Sequence, residues 1–239
     1  MEILANKNVL VVGATGGLGA ETSRLLKSSG ANVFAAGRDL SKLKEVFQPN
    51  AHWDEDQLFE MDVTAPSQVE HVAQQIHNKI GQLDILVNAA GIGIIRPIEN
   101  LDYADFNKVI DVNLKGTFHL LKSFLPPMKE AKKGLIVNIP GVLGKTPMAG
   151  AAAYAASKYG IDGMTKSVRE ELKRTNVRIT NVYFGGIDTP FWDQIDLKVS
   201  KDKFINVKEA ARAIWFLCQQ PSTGVVSEMV LQPFNHQAI

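Results

Sequence analysis

Short apolar runs alternate with longer amphipathic stretches along the whole chain. Val9–Val12, Asn32–Ala36, Leu58–Met61, Ile85–Val87, Leu135–Val137, Arg178–Tyr183 and Glu228–Leu231 have the length and hydrophobicity of strands covered on both faces. Between them, helical periodicity predicts helices over Thr22–Ser28, Ser41–Phe47, Ser67–Ile80, Tyr103–Leu125, Tyr154–Arg174 and Val207–Gln219. Gly30 and Gly81 close the first and third, and Pro126-Pro127 is expected to stop the fourth. Strands separated by helices require right-handed crossovers. The pattern therefore predicts an α/β chain with a doubly wound parallel sheet of about seven strands, flanked by helices on both faces. No linker or repeat divides the sequence, so residues 1–239 are expected to form a single domain. The stretch 191–206 is polar and weakly periodic. It reads either as a plain surface loop or as a substrate loop over a pocket.

The first strand runs into a glycine cluster, VLVVGATGGLG at Val9–Gly19. Gly13 permits a sharp turn off the strand, Gly17 lets the backbone approach a pyrophosphate, and Gly19 lets the following helix pack closely. The start of that helix presents free N–H groups and a positive dipole end to phosphate. Because Gly16 and Gly17 are adjacent, the spacing fits both G-x-x-x-G-x-G and G-x-x-G-x-x-G. In the first βα unit of a doubly wound pattern, such a loop predicts a Rossmann fold that binds a dinucleotide.

The end of the second strand reads Ala35-Ala36-Gly37-Arg38-Asp39. An acidic residue there would hold a ribose 2′-hydroxyl. Gly37 stands in its place, and the Arg38 guanidinium that follows can pair with a 2′-phosphate. NADP(H) is therefore favoured over NAD(H), with Asp39 either neutralising Arg38 or capping the next helix. Asp62 and Val63, just after the third strand, are expected to touch the adenine.

Composition removes other classes. A net charge of +1, from 26 basic and 25 acidic residues, gives no footing for nucleic acid or an anionic membrane as main partner. One cysteine, Cys218 in an apolar stretch, allows neither an internal disulfide nor a thiolate cluster. The five histidines, His52, His71, His77, His119 and His236, are scattered, so no metal site is expected. The N-terminus Met1–Lys7 has no signal-peptide layout and no apolar run reaches membrane-spanning length, which makes the cytoplasm the expected location.

Tyr154 and Lys158 lie four apart and so project from one helical face on successive turns. With VVGATGGLG (Val11–Gly19), NAAG (Asn88–Gly91), DVNLKGTF around Asn113, YAASK (Tyr154–Lys158) and FGGIDTP (Phe184–Pro190), the chain closely resembles the short-chain dehydrogenase/reductase superfamily, in its branch of about 250 residues. Its length and the NAAG segment favour this branch over the longer sugar-nucleotide epimerases. The resemblance implies that Gly13, Thr15, Gly16, Gly17, Leu18 and Gly19 cradle the phosphates. Tyr154 would be the general acid/base at the substrate oxygen. Lys158 would lower the tyrosine pKa and hydrogen-bond the nicotinamide ribose, and Asn113 would hold a water in a proton relay. Asn88, Ala89 and Gly91 would line the cofactor cleft. Gly185, Ile187 and Thr189 would approach the nicotinamide carboxamide and the pyrophosphate.

Two positions depart from the family pattern. Thirteen residues before Tyr154, where a serine usually donates to the substrate oxygen, stands Gly141, and no serine lies between Ser123 and Ser157. Losing one such donor typically costs ~10²–10³ in rate. Three readings follow: a reductase that uses a water or another donor such as Thr146, a slow enzyme or altered variant, or a silent NADP(H)-binding protein. If the missing hydroxyl limits the rate, Gly141→Ser is expected to raise turnover. The second departure is Phe184 in place of proline, either an aromatic pocket wall or a packing residue.

Ile94, Ile95, Val142, Leu143, Phe191 and Trp192 are expected around the open end of the nicotinamide. They favour a neutral, apolar ketone or alcohol as the small-molecule substrate. The enzyme reading is thus a carbonyl reductase or alcohol dehydrogenase, with lyase or isomerase chemistry as a weaker third class. The resemblance also implies a homodimer or homotetramer through the long helices.

Overall fold

Each apolar run becomes a strand of one parallel sheet, because only a sheet covered on both sides buries so continuous a pattern. The computed structural model describes residues 4–48, 53–195, 197, 200–221 and 223–235. Met1–Ile3, His52, His236 and residues 196, 198 and 199 of the 191–206 stretch lie outside the described residues. The strands are β1 (Asn8–Val12), β2 (Asn32–Gly37), β3 (Leu58–Glu60), β4 (Ile85–Asn88), β5 (Gly134–Asn138), β6 (Val177–Phe184) and β7 (Glu228–Leu231). Their order is β3-β2-β1-β4-β5-β6-β7. The chain direction across the sheet reverses between β1 and β4, and the crevice at their carboxyl ends is where such sheets bind ligands.

The helices are α1 (Gly17–Ser28), α2 (Leu40–Phe47), α3 (Pro66–Ile80), α4 (Tyr103–Val109), α5 (Gly116–Glu130), α6 (Ala152–Leu172) and α7 (Val207–Leu217). One core layer joins α1, α2 and α7 to Val9, Val11, Val33, Val87 and Val137. The other joins α3, α5 and α6 to the alternate residues Leu10, Val12, Phe34, Leu86 and Ile136. This split follows from the two-residue period of a strand. Among the described residues no helix is long and apolar enough to cross a membrane, and no group of three His, Cys, Asp or Glu could hold a metal.

The expected helix over Tyr103–Leu125 is corrected twice. A π-helical stretch, Ile110–Lys115, divides it into α4 and α5. The proline pair does not end it either, since Pro126 and Pro127 lie inside α5. Their missing N–H groups leave the carbonyls of Lys122 and Ser123 without helical partners, but Lys122 is exposed and Ser123 half-buried, within reach of water. Burial of Leu125 and Met128 holds the last turn in place. Helix α1 also begins earlier than expected, at Gly17, because glycines of the loop supply its first turn.

Asp84 ties the amino ends of the central strands. Its carboxylate accepts the Asn8 N–H at 3.0 Å and pairs with Lys7 at 3.4 Å and Lys133 at 2.6 Å. Burial opposes its ionisation, but Lys133, the Asn8 N–H and Lys7 together hold its pKa below the ordinary aspartate value. A depressed carboxylate pKa gives stability that is present above the unfolded-state value and is lost as pH falls through the folded-state value. Asp84→Asn should therefore lower stability at pH 7 by about 1.5–3 kcal/mol, measured by urea unfolding. The deficit should shrink in acid.

Candidate active site

The first βα turn needs a residue without a side chain. Gly13 has φ +77°, and a Cβ there would come 2.7 Å from the Ala89 backbone. Both Gly13 and Ala14 donate to the Ala36 carbonyl, at 2.9 and 3.0 Å, so the loop is fastened to the end of β2. Gly19 lies directly on the Gly13 carbonyl, as close packing of α1 requires. Thr189 closes over the loop from the far side, with its Cβ 3.0 Å from a Cβ built on Gly17. Gly16 is exposed and precedes α1, and Leu18 turns its side chain toward the core. Gly13, Thr15, Gly16, Gly17, Ala89 and Thr189 thus meet around one cleft.

A chain of hydrogen bonds runs from the sheet to the tyrosine. Asn88 Nδ2 donates to Asn138 Oδ1 at 3.4 Å and to Thr117 Oγ1 at 3.0 Å, and Thr117 donates to the Asn113 carbonyl at 2.6 Å. The Asn113 carboxamide accepts the Ile92 N–H and donates to the Ile92 carbonyl, both at 2.9 Å. It also donates to Ser157 Oγ at 2.9 Å, and Ser157 donates to the Tyr154 carbonyl at 2.7 Å. Both donors of the buried Asn113 side chain are therefore spent on protein groups. The π-helical turn carries Asn113, and such turns are frequent at functional sites. The sequence singled out Asn88 and Asn113 but missed Ile92, Thr117, Asn138 and Ser157. Only the coincidence of polar residues at the end of β5 and inside the apolar face of α5 hinted at them.

Tyr154 and Lys158 face each other on α6, with Lys158 Nζ 5.3 Å from the phenol ring centre. A Cβ on Gly91 would lie 3.3 Å from Asn113 Oδ1 and 3.4 Å from Lys158 Nζ, so the bare glycine opens onto both groups. The Lys158 ammonium donates to the Ile139 carbonyl at 3.0 Å. Burial pushes its pKa down to about 8, and burial raises the Tyr154 phenol well above its ordinary value. Burial is the cause that governs both groups in this ligand-free structure.

Gly141 has φ +69° and ψ 171°. That conformation strains any L side chain, so a serine placed there would not simply restore the family's hydroxyl. The turn after it is anchored by Lys145, which pairs with Glu228 at 2.7 Å and lies 4.2 Å over the Tyr183 ring. Phe184 is 4% exposed and belongs to the core layer of α1 and α7, which makes it a packing residue and not a pocket wall. Gly185 packs against Pro233 and Gln232. Ile187 pairs with Ile205, and its carbonyl accepts the Trp192 indole N–H at 2.9 Å. Ile94, Ile95, Val142, Leu143, Phe191 and Trp192 are all half-buried.

At the outer end, Arg38 is exposed and has no ion pair among the described residues. Asp39 accepts the Lys42 N–H at 3.0 Å and so caps α2 instead of neutralising Arg38. A Cβ on Gly37 would lie 3.5 Å from Thr15 Oγ1, which joins that corner to the glycine loop. Asp62 accepts from the Thr64 N–H and hydroxyl, both at 2.8 Å, while the Val63 side chain packs on Gly116. The chemistry of these residues suits a dinucleotide: glycine backbone at the amino end of α1 lies at one end and the Lys158 ammonium at the other.

The model of the family described as short chain dehydrogenase matches residues 7–200. An uncharacterized oxidoreductase of Staphylococcus saprophyticus is 34% identical, with 96% of this chain and 98% of that protein covered. A second one from the same organism is 31% identical, with 98% of each covered. Among solved structures, a metagenomic short-chain oxidoreductase in complex with NADP superposes with a TM-score of 0.81 at 31% identity, covering 97% of this chain and 99% of that one.

The Lys158 amine gives a signed pH test. Its folded-state pKa lies below the unfolded value, so holding the charged form costs stability at neutral pH, and the cost fades as pH rises above about 8. Lys158→Met should raise the thermal midpoint of the ligand-free protein, by more at pH 7 than at pH 9.5, in differential scanning fluorimetry.

Proposed function

The chain belongs to the short-chain dehydrogenase family, which makes it an oxidoreductase, and on that premise we propose that it is an NADP(H)-dependent reductase of neutral, apolar ketones and, in reverse, a dehydrogenase of the corresponding alcohols. The observation that carries this reading is the opening at Gly91, where Lys158 and Asn113 meet beside the glycine cradle and one helical turn from Tyr154. The NADP complex of the metagenomic relative supports the choice of coenzyme, as does an exposed Arg38 beside Gly37 and Thr15.

The coenzyme, when bound, supplies the hydride. Gly13, Thr15, Gly16, Gly17, Leu18 and Gly19 cradle its phosphates with the amino end of α1, and Thr189 closes over them. Arg38 pairs with the 2′-phosphate, while Asp62 and Val63 border the adenine. Asn88, Ala89 and Gly91 wall the cleft, and Gly185 and Ile187 bound its nicotinamide end. Lys158 holds the ribose. Tyr154, kept protonated by burial, gives its proton to the carbonyl oxygen during reduction and takes one back in oxidation. Asn113 fixes the backbone from which Tyr154 and the Ile92 segment project.

A silent NADP(H)-binding protein is the second reading, favoured by Gly141, which brings no hydroxyl to the substrate oxygen. A homodimer or homotetramer agrees with the exposed Tyr103, Phe106, Phe118 and Tyr159 on α4, α5 and α6.

The deciding experiment is NADPH oxidation with a panel of apolar ketones. Tyr154→Phe should lower kcat by about 10²–10⁴ while NADPH still binds in calorimetry. Turnover equal to the parent's would overturn the role given to Tyr154, and NADPH binding without turnover by the parent would favour the silent reading. Arg38→Ala should weaken NADPH relative to NADH by about ten- to hundredfold, read from the two dissociation constants.

A further inference from the structure

We propose that Phe191, backed by Ile195 and pinned through Trp192, is a fixed aromatic wall that limits the size of the group carried by the substrate carbonyl; the proposal rests on the reductase reading above. Gly93 lies two residues beyond Gly91, and a Cβ built on it would come 2.7 Å from Phe191 Cζ and 3.1 Å from Ile195 Cδ1. The Phe191 ring therefore rests on bare backbone, in space a side chain would take. Its centre is also 6.2 Å from that of Tyr154, with the planes at 40°. The ring stands between the segment after β4 and the phenol that addresses the substrate oxygen. A substituent on the reacting carbonyl must pass beside it.

The wall is held by its neighbours. Trp192 meets Phe191 edge-on at 5.6 Å and 86°, and packs on Phe204 at 4.9 Å. The Trp192 indole is tied to the Ile187 carbonyl, and the Phe204 ring lies 2.6 Å from a Cβ built on Gly186. The Asp188 backbone N–H donates to the Ile205 carbonyl and the Ile205 N–H to the Gly186 carbonyl, both at 2.9 Å. Both ends of the 191–204 stretch are thus fastened to the segment that follows β6. A packed aromatic group with its polar edge satisfied holds its place, so the site prefers small, flat substituents over branched ones.

The test compares acetophenone with 1-adamantyl methyl ketone in the full-length protein. Phe191→Ala should raise the ratio of kcat/KM for the adamantyl ketone to that for acetophenone by at least about tenfold, a typical yield of pocket volume. Gly93→Ala should lower kcat/KM for acetophenone in the parent but cost little alongside Phe191→Ala, because the clash is with that ring. Turnover of both ketones with a ratio within about twofold of the parent's would overturn the wall and leave the reductase reading standing. If neither ketone is reduced, calorimetry on the NADP⁺-loaded protein decides. Tighter adamantyl-ketone binding by Phe191→Ala keeps the wall and removes the reductase reading. Unchanged or absent binding in both proteins overturns the wall as well.

Discussion

The site depends on one buried carboxamide. Asn113 holds the Ile92 backbone with two hydrogen bonds and the Ser157 hydroxyl with a third, and so joins the end of β4 to the first turns of α6. Removing a buried partner of this kind strands several polar groups at once, each at the cost of its own desolvation. The π-helical turn at Ile110–Lys115 is the backbone's accommodation to this arrangement, since it interrupts α4–α5 where Asn113 must face the cleft. Behind it, Asn88, Asn138 and Asn181 lie in register across β4, β5 and β6. A polar row so deep in an apolar sheet costs stability. Its return is a rigid frame for Tyr154 and Lys158.

Electrostatics inside that frame follow from exclusion of water. Lys158 is 4% exposed and donates to the Ile139 carbonyl, and burial away from water lowers its pKa. Tyr154 keeps its proton for the same reason. A buried neutral phenol beside an under-solvated amine suits proton donation to an oxygen that gains negative charge. Gly141 carries no hydroxyl, and its φ of 69° is a conformation that favours glycine.

Much of this was legible in the residues. Strand positions, sheet class and the glycine turn follow from periodicity and local spacing, which act over a few residues, while the Tyr154–Lys158 pair gains its weight from the family resemblance. The π-helical turn, the prolines inside α5 and the partners of Asn113 were not legible. They come from contacts between residues far apart in sequence, such as Asn113 with Ile92 and Asn88 with Thr117. Phe184 could be read as wall or core, and only its neighbours on α1 and α7 decide for core. The ambiguity of Asp39 likewise ends with its bond to the Lys42 N–H. Likeness to known oxidoreductases gives the family, while the substrate depends on side chains around Phe191 that such likeness leaves undetermined.

A single-turnover reaction tests the central claim most directly. The protein is loaded with one equivalent of NADPH and mixed with an excess of an apolar ketone, and the loss of reduced-nicotinamide absorbance is followed alongside the alcohol formed. One alcohol is expected for each NADPH oxidised. NADPH that stays bound and reduced, with no alcohol from any ketone offered, would contradict it.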